Sequence, residues 1–261
     1  AAAHAATQAR MHPEVGAEVL SVTGARAVYG GRSPLSRVYG LGMTAPVTED
    51  VLDQIEAFFA VHDHPTRIRL CPLADTSLPD QLAARGYALR SFMNVYARSL
   101  DLAPDGMHTP DLRIAEATRQ EARWWFERQG AGGDWAEPDG IAFMLVRCVL
   151  KPGARLFLAW ADDGPVAGGA LEMHDGVAAL YAAETLPAYR WRGIHTALMR
   201  TRLAAAAEAG CDIAMVHTLP GAASARNVLR AGFGLQYTVA RMARPRSGDA
   251  VKRPKGFRHR L

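Results

Sequence analysis

The sequence of 261 residues contains only three cysteines, Cys71, Cys148 and Cys211, which lie far apart and in no Cys-x-x-Cys spacing. This pattern offers neither a disulfide framework nor the ligand set of a structural zinc site. Long apolar runs are also missing: no stretch of about 18 apolar residues occurs, and no charged-then-apolar leader precedes a small-residue cleavage site. We therefore expect no metal site, no membrane span and no signal peptide, and we predict a cytoplasmic protein.

Acidic residues are scarce at one end of the chain. From Arg241 onward there are eight Lys or Arg and one acid, whereas the preceding 240 residues hold 22 basic and 25 acidic residues. The formal net charge of +4 therefore arises from a basic tail, predicted at 244–261, while the body is mildly acidic. A basic terminus punctuated by proline is typical of a solvated tail; nucleic acid or an acidic partner is the less favoured alternative.

The length is comfortable for two domains. Residues 101–110, rich in Pro, Asp and Gly, predict a linker between a first half at 1–100 and a second half at 111–243. Residues 1–6, mostly alanine, are excluded from the fold prediction.

The second half has a legible series of elements. Thr118 and Glu121 form a capping box that opens a helix, and two Asp-Gly pairs predict tight hairpins between three strands. The predicted order is strand 112–114, helices 118–130 and 139–150, strands 156–161, 166–173 and 177–185, a helix after 193, strand 213–217, helix 223–231 and strand 233–242.

A turn rich in arginine and glycine, residues 190–195, joins the strand ending at 185 to the next helix. The first turn of a helix has unpaired N–H groups and a partial positive charge, so it accommodates a phosphate. Gly193 lets the backbone come close to such a ligand, and Arg190 and Arg192 offer guanidinium groups to its oxygens. We interpret residues 190–195 as an anion-binding turn.

This element order and two motifs resemble the GNAT superfamily of acyl-CoA-dependent N-acetyltransferases over roughly residues 112–243. Arg190 and Gly193, followed by a helix, are similar to the family signature R/Q-x-x-G-x-G/A, and residues 227–233 are similar to its N-x-x-R-x-G-F passage. The resemblance implies an α/β (α+β layered) fold, with a mixed central sheet flanked by helices. It also implies transfer of an acetyl group from acetyl-CoA to an amine.

The first half reads as a degenerate copy of the same plan. The Gly86-Tyr87 pair matches Gly232-Phe233, and each pair follows a short strand by a similar interval. The predicted elements are strands 38–43 and 67–73, helices 51–60 and 79–85, and a long strand from 87 to 100. Each half is short of a final strand, so we expect one half to lend a strand to the other, or to a second chain in a homodimer.

The two halves differ where the anion-binding turn should lie. The first half has Thr48, Glu49 and Asp50 there, and the two acids would satisfy the helix N-terminus and repel a diphosphate. We therefore predict that only the second half binds acetyl-CoA.

The resemblance implies a set of cofactor-binding residues around the turn. Backbone N–H groups from 192 to 196 would hold the diphosphate of coenzyme A, and its pantetheine arm would lie between strands 177–185 and 213–217. The predicted cofactor-binding residues are Leu186, Arg190, Arg192, Gly193, Ile194, His195, Thr196 and Asn227.

Catalytic candidates are fewer. Glu184, polar at the end of an apolar strand, would help to deprotonate the amine, or is a solvated strand-end carboxylate. Many family members carry a Tyr at the position of Val228, so Tyr237, His217 or water would protonate the thiolate. This departure, together with His195 where Gly or Ala is expected, leaves a non-catalytic acyl-CoA-binding sensor as the alternative function.

Other features predict packing or the acceptor site. Trp124, Trp125 and Trp135 belong to the core or line the acceptor site, and Gly168 with Gly169 predict a bulge or a close backbone approach. The acceptor itself, a small-molecule or protein amine, has no legible code.

Overall fold

The computed structural model describes residues 2–31, 33–101, 112–130 and 138–244. None of the helices in these ranges is both long and apolar enough to cross a bilayer. The helices are α1 Ala2–Met11, α2 Glu49–Ala60, α3 Leu78–Ala84, α4 Arg119–Gly130, α5 Pro138–Leu145, α6 Ile194–Glu208 and α7 Ala223–Arg230, with a π-helical turn at Val146–Leu150 after α5. The strands are β1 Glu18–Val22, β2 Ala25–Tyr29, β3 Arg37–Tyr39, β4 Thr66–Leu70, β5 Ala88–Ser99, β6 Arg113–Glu116, β7 Ala154–Ala161, β8 Gly164–His174, β9 Val177–Thr185, β10 Ile213–Thr218 and β11 Gly234–Arg244.

The chain forms two compact units whose boundaries lie inside β5 and β11. The first unit contains the residues up to Met93 and those from Tyr237 on, and the second contains Asn94–Gln236. Residues 94–99 of β5 pair with β10 in the second unit, and residues 240–244 of β11 pair with β4 in the first. The prediction that one half lends a strand to the other is confirmed, and the exchange runs in both directions.

The division into 1–100, 101–110, 111–243 and 244–261 stays a prediction. Residues 102–110 of the linker and 245–261 of the tail lie outside the described residues.

In the first unit, the strands follow the order β1-β2-β3-β4-β11. β3 and β4 are parallel, with Val38 opposite Ile68, and the other neighbouring strands are antiparallel. The apolar sides of α2 and α3 cover one face of this sheet, and the fully buried side chains there include Leu52, Ile55, Phe59, Leu78 and Leu82. Burial of these stripes, at about 25 cal/mol per Å² of apolar surface, drives the packing of this layer.

The N-terminal residues correct the prediction. The alanine-rich start, which we excluded from the fold, is part of α1, and Ala5 of α1 packs with Ala17 and Val28 on the other face of the first sheet. The hairpin of β1 and β2 was also missed. Its turn is formed by Thr23 and Gly24, both with positive φ, instead of the Asn-Gly or Asp-Gly pair that usually signals such a hairpin.

In the second unit, the strands follow the order β5-β10-β9-β8-β7-β6, with β9 and β10 parallel and the others antiparallel. One face packs against α6 and α7 through a core that includes Leu198, Leu203 and Val228. The other face packs against α4 and α5 around Trp125, which is fully buried. A mixed sheet between layers of helices confirms the predicted α/β fold class.

Two local predictions are confirmed in this unit. The backbone N–H of Thr118 donates to Glu121 Oε2 at 2.8 Å, and that of Glu121 donates to Thr118 Oγ1 at 3.2 Å, which completes the capping box. Hydrogen bonds from Thr118 also lower the pKa of Glu121. Asp175 and Gly176 have φ values of 47° and 75°, as a tight hairpin needs, whereas at the other Asp-Gly pair only Gly164 has a positive φ.

A bulge interrupts the pairing of β8 with β9. Ala170 lies opposite Tyr181 and Gly168 opposite Glu184, so Gly169 alone faces Ala182 and Ala183. A bulge is therefore present beside the glycine pair, as predicted, but its additional residue belongs to β9 and not to the strand of the glycines. Side chains, not another backbone, approach the glycines: a Cβ on Gly168 would lie 2.7 Å from Trp125 Nε1, and one on Gly169 would lie 2.8 Å from Arg202 Cζ.

Candidate active site

The parallel strands β9 and β10 pair along only part of their length. Their register runs from Ile213 opposite Val177 to Val216 opposite Leu180. Beyond these pairs, within the described residues, β9 continues to Thr185 and β10 to Thr218 without further pairing to each other. The second unit therefore has an opening between two strands, at the edge where β9 leads into the predicted anion-binding turn.

The N-terminus of α6 is open at this edge. Gly193 is its N-cap, with a φ of 78° and no side-chain capping hydrogen bond. The first intrahelical bond runs from Ala197 N–H to Gly193 O at 3.0 Å, so the N–H groups of residues 194–196 precede it. A Cβ built on Gly193 would meet nothing within 4 Å, which means that the space beside this cap is free. This geometry suits an anion.

The arginines of the turn make only weak interactions with their neighbours. Arg190 donates to Thr185 O and to Glu184 Oε1, both at 3.1 Å, and the Arg190 and Glu184 side chains are both half exposed. The Arg192 guanidinium lies over the Tyr189 ring at 5.1 Å from its centroid. Exposed ion pairs contribute about 0–1 kcal/mol, so an anion with more charge can replace Glu184 as the partner of Arg190. Trp191, between the two arginines, is 95% exposed with a φ of 67°.

His195, which is half-buried, and Arg202, which is fully buried, lie on α6 and influence each other electrostatically. His195 Nδ1 is buried without a hydrogen-bond partner, and burial, reinforced by the charge of Arg202, lowers the His195 pKa to about 4. Arg202 is 1% exposed and donates to Leu198 O at 3.0 Å, Ala170 O at 3.1 Å and Tyr181 O at 3.5 Å. Burial lowers its pKa to about 10, so it stays charged at neutral pH.

The Arg202 contacts explain how the bulge is held. Ala170 and Tyr181 are the paired residues that flank it, and the guanidinium occupies the space beside Gly169. Sequence reasoning missed this residue, although a signal existed. Arg202 follows Ile194 and Leu198 at intervals of four, which places it on the buried side of α6.

Two hydroxyl groups flank the opening, and the sequence analysis did not select them. Thr218 ends β10 and Thr185 ends β9, and the Oγ1 atom of each is buried without a hydrogen-bond partner among the described residues. Unsatisfied buried hydroxyls are uncommon in folded proteins, so they mark polar positions that a ligand can complete. The only sequence signal was their position at strand ends.

The remaining predicted site residues are dispersed. His217 is half-buried in the part of β10 that lies beyond its pairing with β9, and it lies opposite Val95 of β5. Asn227 Oδ1 accepts a hydrogen bond from Arg230 at 3.3 Å, and Val228 is fully buried. Tyr237 lies in the first unit, where burial and then Cys71 raise its pKa. The structure therefore brings together Glu184, Leu186 and the turn with α6, and it places Tyr237 in the other unit.

On the opposite helix layer, the π-helical turn is anchored to β9. Tyr181 Oη donates to Arg147 O at 2.6 Å, and Lys151 is buried in an ion pair with Glu172. Trp125 is buried and Trp124 packs against Trp160 with 5.6 Å between ring centroids, while Trp135 lies outside the described residues.

With this geometry in view, residues 116–233 match the model of the acetyltransferase (GNAT) family. The second unit carries a GNAT acetyltransferase domain. No curated protein matches the chain in sequence. The matched region contains the opening between β9 and β10, the turn and α6, so the anion-receptive edge lies within the GNAT domain.

Solved structures agree at the level of the fold. A GCN5-related N-acetyltransferase from Kribbella flavida superposes with a TM-score of 0.67 at 18% identity, over 94% of this chain and 95% of that one. A tandem GNAT protein from the clavulanic acid biosynthesis pathway gives 0.65 at 13% identity, over 93% and 87%. A GCN5-related N-acetyltransferase from Sphaerobacter thermophilus gives 0.61 at 15%, over 87% and 75%. The fold is thus shared with GNAT proteins, one of them tandem, as the resemblance implied.

Proposed function

We propose that the GNAT domain transfers an acetyl group from acetyl-CoA to the amine of a small-molecule or protein acceptor. The observation that carries this proposal is the junction of the open α6 N-terminus with the gap between β9 and β10. The first supports binding of a diphosphate, and the second supports binding of an extended arm that ends beside the bulge and Glu184.

Acetyl-CoA would be held from both ends of this junction. The N–H groups of residues 193–196 and the guanidinium groups of Arg190 and Arg192 would bind its phosphates. The side chain of Leu186, whose N–H donates to Val166 O at 2.9 Å, and the unpartnered hydroxyls of Thr185 and Thr218 would line the arm. Asn227 remains a proposed contact of the pantetheine. The site fits the ligand because the space beside Gly193 is open and the hydroxyls of Thr185 and Thr218 have no hydrogen-bond partner among the described residues.

Acetyl-CoA, when bound, would supply the acyl group, whose carbonyl carbon would exchange its bond to sulfur for a bond to the amine nitrogen. Glu184, half exposed at the end of β9, would accept the amine proton directly or through one water. The two residues of β9 at the bulge, Ala182 and Ala183, would direct backbone N–H groups toward the carbonyl oxygen, because a bulge leaves its additional residue out of the ladder. His217 or water would return a proton to the thiolate, and Tyr237 is the third candidate.

The second candidate function is a non-catalytic acyl-CoA-binding sensor. It is favoured by the buried Val228, which stands where many relatives carry a tyrosine, and by the placement of Tyr237 in the first unit. This alternative needs the same grip on the cofactor but no proton transfer.

The test measures the binding of acetyl-CoA and the transfer of its acetyl group separately. Acetyl-CoA binding is measured by thermal stabilisation and calorimetry, and thiol release is measured with a broad panel of amines. Arg192→Glu should weaken binding about 10- to 100-fold, because it replaces a charge-assisted contact of about 1.5–3 kcal/mol with repulsion. Arg226→Glu on α7, also exposed, is the matched control and should bind like the parent.

Glu184→Gln should keep the binding of acetyl-CoA and lose most of the turnover. Binding without turnover on any amine would favour the sensor. Absence of binding in the parent, or Arg192→Glu indistinguishable from it, would contradict both functions. A cytoplasmic location and a homodimer remain predictions.

A further inference from the structure

The first unit has arginine side chains on one face of its sheet, which we call the arginine face: Arg37, Arg67, Arg69 and Arg241. Val38, Ile68 and Met242 point to the core under α2 and α3. Because successive residues of a strand alternate between faces, the neighbouring arginines on β3, β4 and β11 point to the opposite face. Arg241 lies directly opposite Arg69 in the antiparallel pair of β11 with β4.

In the described part of the first unit, the carboxylates that pair with arginines belong to α2, on the other side of the sheet. Glu56 on α2 pairs with Arg85 and with Arg244, which stands three residues after Arg241 and therefore on the other side of β11. Within the described residues, Arg37, Arg67 and Arg241 have no ion pair with any carboxylate. Helix α1, which packs on the neighbouring part of the same face, contains no acid either.

Arg37 is fixed in place, and one N–H group of its guanidinium has no acceptor. Its side chain is 5% exposed, one guanidinium nitrogen donates to Pro34 O, and its Nε is buried without a partner. A buried unsatisfied donor is destabilising, and like charges at facing positions of a sheet add to this.

The charges on this face act on one another. Burial, opposed by Tyr39 and reinforced by Arg69, Arg241 and Arg67, lowers the pKa of Arg37 to about 10. Burial and Arg241 also lower the pKa of Arg67. Repulsion among Arg37, Arg67 and Arg241 contributes nothing to folding, so the arrangement needs another explanation, and a multiply charged anion would relieve it.

We propose that the arginine face of the first unit binds a small molecule carrying a phosphate or diphosphate group. Guanidinium forks match phosphate oxygens in two-point contacts, and at least three cations without carboxylate partners suit a ligand of two or more negative charges. This site is separate from the turn at α6 and does not depend on the proposed acetyl transfer.

The test uses inorganic pyrophosphate and the full chain, with calorimetry and thermal shifts at low and at moderate salt. The parent and Arg192→Glu should bind pyrophosphate alike. The double variant Arg67→Gln, Arg241→Gln should bind at least about tenfold more weakly. Arg26→Gln is the matched control, because Arg26 is exposed on the same face, opposite Tyr39, and hydrogen-bonds to Ser21.

Without anion, the double variant should melt at the same temperature as the parent or higher, because repulsion has been removed. A lower melting temperature would mean that the arginines hold the unit together, and would overturn the proposal. So would equal pyrophosphate binding in parent and double variant, no binding to the parent, or loss of binding in Arg192→Glu. The acetyl-CoA affinity of the double variant identifies the source of the phosphate group. A lower affinity would mean that acetyl-CoA itself binds the arginine face, and an unchanged affinity would mean that another phosphate compound binds there.

Discussion

The N-termini of α6 and α2 occupy corresponding places in the two halves and differ in charge. In neither does a side chain cap the helix, since Gly193 has none and Thr48 makes no capping hydrogen bond. The first turn of α6 contains no acid, whereas α2 begins with Glu49 and Asp50. Counted from the helix start, His195 stands where α2 has Asp50. One N-terminus is left for an anion from solution, and the other already carries its own.

The acids of α2 are further neutralised from outside the helix. Arg85 lies between Glu49, Asp53 and Glu56, with 2.7 Å to Asp53 and 3.2 Å to Glu56. Glu49 and Asp50, the acids that we expected to satisfy this N-terminus, lie in its first turn, and Arg85 pairs with Glu49. The two N-termini share a backbone position but differ in charge, and a first turn without acids is the more favourable of the two for an anion.

The largest expected effect is on the free energy of unfolding, and it differs between an arginine of the second unit and one of the first. Arg202→Ala should lower the free energy of unfolding by about 3–5 kcal/mol, because it leaves a cavity and removes the donors that hold the bulge. Arg85→Ala should lower it by about 1 kcal/mol, since Glu49 and Asp53 are solvent-exposed. Urea denaturation of both variants measures the difference.

Arg202→Lys is the control, because it keeps the charge but cannot span the same carbonyls, and it should fall between parent and alanine. If Arg202→Ala and Arg85→Ala proved equally destabilising, the bulge would not depend on the buried guanidinium.

The next effect is a pH dependence at the open helix. With a folded pKa of about 4 against 6.5 unfolded, His195 binds its proton more readily in the unfolded chain. Its stabilising contribution is therefore complete above pH 6.5 and is lost as the pH falls from 6.5 toward 4, on the order of 3 kcal/mol in total. The stability of the parent and of His195→Gln, followed by thermal or urea unfolding across this window, should diverge by that amount.

Because the carboxylates that titrate in the same pH range are common to both proteins, the difference between the two stability curves reports the contribution of His195 alone. Parallel curves would mean that the imidazole is solvated, and would remove the contrast with Asp50.

The smallest effect concerns the acids of α2. Glu49→Gln combined with Asp50→Asn should change the free energy of unfolding by less than about 1 kcal/mol, because both positions are exposed. We expect no gain of acetyl-CoA binding, since the first unit still lacks the glycine cap and the arginine-rich turn. If the Glu49→Gln, Asp50→Asn variant still bound acetyl-CoA after Arg192→Glu was added, the acids alone would have prevented binding at the N-terminus of α2.

Much of the second unit was predictable because its signals are local. The capping box at Thr118, the Asp-Gly turn at 175–176 and the stop at Gly210 each depend on neighbouring residues, and the observed elements follow them. The turn at 190–193 was likewise legible, since glycine and arginine before a helix have a direct electrostatic meaning.

What the sequence did not reveal depends on contacts between distant residues. The role of Arg202 requires β8 and β9 to meet α6, and the arginine face exists only because β11 returns to pair with β4. The burial of α1 had no periodic pattern to announce it, because alanine packs closely without a strong apolar stripe.

The exchange of strands has a consequence for synthesis on the ribosome. The strand that completes the first unit, residues 240–244 beside β4, is translated after the whole of the second unit. The N-terminal unit therefore cannot finish folding first, as N-terminal domains usually do during translation. Until residues 240–244 emerge, β4 keeps an open edge, and the chain's earliest unit is its last to close.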